Sequence, residues 1–257
     1  MNSFNVRLMA KTEPKLNRPI LIVGLPGIGN VGKIAADFMV DKLKAQEIYE
    51  IYSHYFPHSV FITESNLVEL PTVSLALKKG KPDLLFLIGD VQPSEEKPSY
   101  EFAELILDIV QKLGCSKIIT LGGIGLPQVP KEPKVYCTGT ERAAIEDFCK
   151  DTKVDSKLYG IVGPILGVSG LLLGLAKRRN IPAISLLAET YGHPMYLGMK
   201  GSREIITVLN QKLGLKLNIK DLDKEISTTE EELIKRQQGM AVKKQLKKGS
   251  KDVSYIG

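Results

Sequence analysis

The residues that invite a chemical reading gather around glycines. Gly27-Ile28-Gly29-Asn30-Val31-Gly32 follows an apolar run and precedes a helical pattern. It satisfies G-x-G-x-x-G, in which glycines let the backbone approach a pyrophosphate at a helix N-terminus. Gly24-Leu25-Pro26 lengthens the turn before it. The acid expected further along, Glu47 or Glu50, sits clearly at no strand end. The same stretch reads Gly27, four residues, Gly32, Lys33. Ile34 then stands where a phosphate loop needs the Ser or Thr hydroxyl that holds Mg²⁺. Tight strand–helix packing is the plain alternative use of these glycines.

Other constellations each lack a part. Gly167-Val168-Ser169-Gly170 resembles a nucleophile elbow, but Leu171 replaces its final glycine, and Ser169 reads more simply as a helix N-cap. His54 and His58 are four apart with Pro57 between them, so they share no helix face for a metal. Asp90 and Glu189 lie near expected strand C-termini, where α/β folds bind ligands. With Gly27 and Gly29 they outline a candidate ligand crevice. His193 follows Glu189 by four, which leaves two readings open, an acid–base pair or a hydrogen-bonded structural cluster. No catalytic residue, metal-ligand set or cofactor is assigned.

The elements that must position these residues follow one pattern. Ile20–Val23, Leu84–Ile88, Ile118–Leu121, Tyr159–Val162 and Ala183–Ala188 are short apolar runs. Most of them lead through a turn into a helical pattern, at Val31–Leu43, Tyr100–Leu113, Ser169–Lys177 and Ser202–Leu213. Such alternation predicts an α/β fold, a mostly parallel twisted sheet flanked by helices. In Tyr100–Leu113, Phe102, Ile106, Ile109 and Leu113 form one stripe, with Ser99 as the expected N-cap and Gly114 beyond the end. Ile48–Tyr55, Val60–Ile62 and Val68–Leu77 are rich in β-branched and aromatic residues and predict short, partly antiparallel strands. Glu95–Pro98 and Pro127–Pro133 read as polar loops. Beyond the α/β core at residues 1–217, Ser227 and Glu230 form a capping box for a helical extension at 218–238. Residues 239–257 read as a basic, mobile tail.

Composition narrows the function classes. The chain has 257 residues, 43% hydrophobic and 25% charged, which excludes a disordered or collagenous protein. Its net charge is +6, yet from Lys235 onward there are seven basic residues and one acid, so residues 1–234 are neutral. A general nucleic-acid argument fails, because the excess belongs to the segment from Lys235 onward, which has one aromatic, Tyr255, and no stacking platform. Cys115, Cys137 and Cys149 form no CxxC pair and fit a reducing, cytoplasmic setting. No signal peptide is expected at Met1–Ala10. Tyr159–Ala176 is uncharged, but its five glycines and Pro164 argue against a membrane span.

Four blocks carry a family resemblance. They are Ile22-Val23-Gly24-Leu25-Pro26-Gly27-Ile28-Gly29-Asn30-Val31-Gly32, Leu121-Gly122-Gly123-Ile124-Gly125, Gly163-Pro164-Ile165-Leu166-Gly167 and Leu187-Ala188-Glu189-Thr190. In this order they resemble the archaeal proteasome assembly chaperone family, over roughly Phe4 to Leu217. The resemblance implies a nucleoside-phosphorylase-like fold without catalytic machinery. It also implies an ATP-independent homo-oligomer that binds proteasome α-subunits in the α-ring. Some members of that family insert a C-terminal hydrophobic–Tyr–any tripeptide into α-ring pockets; here Tyr255 is third from the end and Ile256 holds the penultimate place. The expected partner-binding residues are Val253, Tyr255, Ile256 and Gly257, with Lys243, Lys244, Lys247 and Lys248 as steering charges. Two rival readings stand beside this one. The first is an enzyme of nucleoside or nucleotide metabolism that uses the crevice. The second is a nucleic-acid-associated scaffold that uses the lysines.

Overall fold

The computed structural model describes residues 3–158, 160, 163–224 and 226. The chain forms two units, residues 1–217 and residues 218–257. In the first, an eight-stranded sheet has the order β1-β3-β6-β7-β2-β8-β10-β9. Its strands are β1 (Asn5–Leu8), β2 (Ile20–Gly24), β3 (Gln46–Tyr52), β6 (Val73–Lys78), β7 (Leu84–Gly89), β8 (Lys117–Leu126), β9 (Val135–Gly139) and β10 (Ala183–Tyr191). A separate two-stranded sheet pairs β4 (Phe61–Ile62) with β5 (Val68–Glu69). Among the described residues of the second unit, 220–224 are helical, and the Asn218 side chain accepts the backbone N–H of Lys220 at 3.3 Å.

The sheet is mixed, which corrects the expectation of a mostly parallel one. Only the central strands β7, β2, β8 and β10 run parallel to their neighbours in that group. The pairs β1–β3, β3–β6, β6–β7 and β9–β10 are antiparallel. For β3–β6 and β6–β7 the cause lies in the connections: residues 46–89 join these strands without a helix, and helix-free links favour antiparallel neighbours, whereas a parallel pair needs a crossover.

Period-two alternation divides the central strands between two faces. Leu21, Val23, Leu85, Leu87 and Ile118 turn to the face covered by α2 (Glu96–Lys112) and α4 (Gly167–Arg178), meeting Phe102, Ile106, Val168 and Leu172. The residues between them, Ile22, Phe86 and Ile119, are fully buried toward the face held by α1 (Val31–Leu43) and α5 (Met199–Leu213). The sheet is therefore covered on both faces through its parallel part, as near-continuous apolar strands require. Arg179 at the end of α4 pairs with Glu104 and, at 2.6 Å, with Asp108 of α2, which ties these two helices together.

Two expected caps move. The first helix expected at Tyr100 begins at Glu96, so the polar loop expected at Glu95–Pro98 becomes its first turn. Ser99 lies inside it, with Oγ donating to the carbonyls of Glu95 at 2.7 Å and Pro93 at 3.1 Å. Pro98 is tolerated there because first-turn N–H groups have no helical acceptor. Ser169 likewise falls inside α4, which begins two residues earlier. Three elements were not anticipated: β1, β9 and α3 (Arg142–Cys149). The strand expected at Tyr159–Val162 and the helix expected from Ser227 lie outside the described residues, apart from Gly160, a turn residue with φ +82°.

Candidate functional site

Parallel strands place their C-terminal ends along one edge, and the connections that leave the neighbours β2 and β8 run in opposite directions, β2 toward β3 and β8 toward β9. The glycine segment follows β2 there. A single 3-10 turn at Ile28–Asn30 carries Gly29 at φ +60° and Asn30 at φ +51° before α1 begins. Two left-handed residues in succession reverse the chain into the helix.

The space beside these glycines is filled by protein. A Cβ on Gly32 would lie 2.3 Å from the backbone oxygen of Leu121 in β8. One on Gly29 would lie 2.8 Å from Thr190 Oγ1, and the Gly29 carbonyl accepts the N–H of Gly198 at 2.7 Å. Thr190 Oγ1 is buried against this knot and has no hydrogen-bond partner among the described residues. Gly27 alone of the three motif glycines faces open space. The motif thus lets β8, β10 and the segment before α5 close on the start of α1, which is the packing use of glycine.

The charges at this edge are also engaged internally. Lys33, the lysine of the incomplete phosphate loop, lies 2.8 Å from Asp37 and 2.7 Å from Asp90. Burial desolvates the ammonium, but the two carboxylates outweigh it and hold the Lys33 pKa above its usual value. Burial pushes the Asp37 carboxyl up, and Asp90 adds like-charge repulsion, because both acids share one cation. A lysine placed between two carboxylates is no receptor for a phosphate.

Gln92, which no motif singles out, joins three segments. Its Nε2 donates to the carbonyl of Pro26 at 2.6 Å, and its Oε1 accepts the N–H of Val168 at 3.1 Å. It therefore ties the glycine loop to the first turn of α4 and takes over the capping role expected of Ser169. Nothing local reveals this, since its partners are far away in the chain.

Glu189 does not join the crevice. Neighbouring strand residues face opposite sides of a sheet. Thr190 packs on Gly29, while the Glu189 carboxylate accepts the Tyr136 hydroxyl at 3.1 Å and the Lys134 N–H at 3.0 Å. Burial and the adjacent Glu189 charge together raise the Tyr136 pKa. His193 stacks on Tyr191 with ring centroids 5.6 Å apart, and its Nδ1 accepts the N–H of Met195 at 3.2 Å. The acid–base reading of Glu189 and His193 gives way to two separate structural clusters. Of the four crevice residues, Gly27 faces open space, Gly29 packs on Thr190, Asp90 pairs with Lys33 of α1, and Glu189 is held by Lys134 and Tyr136.

The expected partner-binding residues Lys243, Lys244, Lys247, Lys248, Val253, Tyr255, Ile256 and Gly257 lie outside the described residues. Among the described residues, no helix is long and apolar enough to cross a membrane, and no three His, Cys, Asp or Glu side chains gather as a metal site requires.

Comparison with known proteins gives a consistent outcome. The PAC2 family model matches residues 21–237. The crystal structure of PbaB from Pyrococcus furiosus, an archaeal proteasome activator, is similar with a TM-score of 0.83 and 34% identity, covering 92% of this chain and 100% of that one. PbaA from the same organism, an archaeal homologue of proteasome-assembly chaperone, is similar with a TM-score of 0.76 and 26% identity, covering 95% and 96%. An uncharacterized protein of Methanocaldococcus jannaschii is 29% identical, covering 98% of this chain and 96% of its own.

Proposed function

Since this chain belongs to the PAC2 family, we propose that it is a proteasome assembly chaperone or core-particle-binding factor and not an enzyme. The observation that carries this reading is the likeness in sequence and fold, over 92% of this chain, to a proteasome activator. In this reading the protein is a cytoplasmic, ATP-independent homo-oligomer that docks on the α-ring of the proteasome core particle. Residues 239–257 serve as tethers. Lys243, Lys244, Lys247 and Lys248 steer them toward an acidic surface, and Val253, Tyr255, Ile256 and Gly257 make the contact. The spacer from Gly239 to Val253 reaches at most ~45–50 Å when extended. Several tails on one oligomer add weak contacts through effective concentration.

The internal engagement of Lys33, Asp90 and Glu189 supports a body that works by binding rather than by catalysis. The nucleoside-enzyme reading needs Glu189 beside the glycine loop, and its carboxylate is held by β9 instead. The test is binding to purified α-rings at low salt, with the full chain and with a chain truncated before Val253. Binding that weakens strongly on truncation supports the tail mechanism. Binding unaffected by truncation assigns the contact to the body, and absence of binding overturns the proposal. Retention on DNA or RNA that falls steeply with salt would favour the scaffold reading instead.

A further inference from the structure

The segment between β3 and β6 leaves the sheet and returns to it as a hairpin. Asn66, at φ +61°, closes its turn, with the Asn66 N–H donating to the Thr63 carbonyl and the Thr63 N–H to that of Leu67, both at 2.9 Å. Strands β4 and β5 pair only with each other. Ile62 and Val68 stand opposite each other on one face, and Phe61 stands opposite Glu69 on the other; Ile62 is 72% exposed, Val68 69% and Leu67 64%, and Val60, Phe61 and Leu70 are exposed as well. A two-stranded hairpin with no third layer is marginal in water, and a contiguous apolar patch of this kind marks an interaction surface. At the hairpin base, Tyr52, His54, Phe56, Pro57, Leu70 and Pro71 help to line an open cleft of ≈ 480 Å³, large enough for one or two apolar side chains.

Charge selects the occupant. From Ala45 to Leu77 the chain contains no lysine or arginine, while Glu64 and Glu69 flank the exposed apolar residues. Two copies joined symmetrically through this hairpin would bring these carboxylates toward their own counterparts with no cation in this segment to relieve them. A partner that is apolar at its centre and basic at its rim meets both features. We infer that the 57–70 hairpin and the cleft at its base form a docking surface for an apolar segment of another protein flanked by lysine or arginine. The apolar anchor enters the cleft, and Glu64 and Glu69 receive the basic flanks. This proposal does not rest on the α-ring reading.

The test uses the full chain and three fluorescent synthetic peptides of equal length. One carries leucine and phenylalanine flanked by lysines. In the second the lysines are replaced by glutamates, and in the third the apolar residues are replaced by serines. Anisotropy titration at moderate salt should show the first binding at least tenfold more tightly than the other two. The double variant Ile62→Ser/Val68→Ser should lose that advantage. Glu64→Lys/Glu69→Lys, which leaves the apolar packing intact, should reverse the preference toward the glutamate peptide. Equal affinity for all three peptides, or a preference that survives both double variants, overturns the proposal. So does a change of sedimenting mass in the hairpin variants, which would make the hairpin a contact between copies of this chain.

Discussion

The edge formed by the C-terminal ends of the central strands and the hairpin at 57–70 are built on opposite principles. At the strand edge, side chains suited to chemistry are engaged inside the chain. Lys33 lies between Asp37 and Asp90, Gln92 bridges Pro26 and Val168, and Glu189 is held by Tyr136 and Lys134. At the hairpin, residues with no chemistry to offer stand exposed. The contrast teaches that glycines and charges near strand ends mark a site only where their partners lie outside the chain. For a binding protein, the informative surface is instead the one whose covering is missing. Substitutions at the edge should therefore disturb folding, and those at the hairpin should disturb binding alone.

Gly32→Val should have the largest effect. Its Cβ would meet the Leu121 backbone oxygen at 2.3 Å, and neither α1 nor β8 can retreat without unpacking. Urea denaturation should show a loss of about 3 kcal/mol or a failure to fold. A fully stable variant would mean that the start of α1 is loosely held, and the glycine loop would return as a ligand-binding candidate. Gln92→Ala comes next. It leaves the Pro26 carbonyl and the Val168 N–H without their partner, at about 1–2 kcal/mol by the same measurement.

Lys33→Met should cost less, about 0.5–1 kcal/mol near neutral pH, because the cluster is partly open to solvent. The pH dependence carries the information. The Lys33 pKa is raised in the fold, so its contribution is fully present below the unfolded lysine value and is lost as pH rises through the higher folded one. At the acid end, protonation of Asp37, whose own pKa is already raised, removes the charge left unpaired in the variant. The stability difference between wild type and Lys33→Met should thus be widest at intermediate pH and narrow toward both extremes. A constant difference across the range would show that Lys33 acts through packing of its stem.

The legible and illegible parts of the fold divide by range of interaction. The strands at Ile20–Gly24, Leu84–Gly89 and Ala183–Tyr191, and the helices after the first two of these, were visible because apolar periodicity is a local signal. The antiparallel flank was readable only in part. Short β-branched runs announce strands but not the neighbour each will choose, which is settled by helix-free connections. Ser99 and Ser169 have the chemistry of N-caps, yet each sits inside its helix. Ser99 bonds backward to Glu95 and Pro93, and the glutamine that caps α4 comes from the loop after β7. The separation of Glu189 from Gly29 follows from strand alternation, but only once it is known that Thr190 is the residue packed on the loop. The hairpin offered a faint signal, since Phe61, Ile62, Leu67 and Val68 flank a Ser65-Asn66 turn, though nothing in the sequence says that they remain uncovered.

The smallest effect should come from Ile62→Ser. With the side chain 72% exposed, the folded chain loses almost no burial, so stability should stay within about 0.5 kcal/mol, a shift of about 1–2 °C in melting temperature for a chain of this size. The measurement should be made at two protein concentrations a hundredfold apart. If the hairpin is open in the free protein, neither wild type nor variant will show a concentration-dependent midpoint attributable to it. If instead the wild-type midpoint rises with concentration and the Ile62→Ser midpoint does not, a second copy covers the hairpin, because only association makes stability depend on concentration. A melting temperature that is unchanged, together with loss of the lysine-flanked peptide, would separate the two regions: the strand edge holds the body together, and the hairpin gives it a surface to offer.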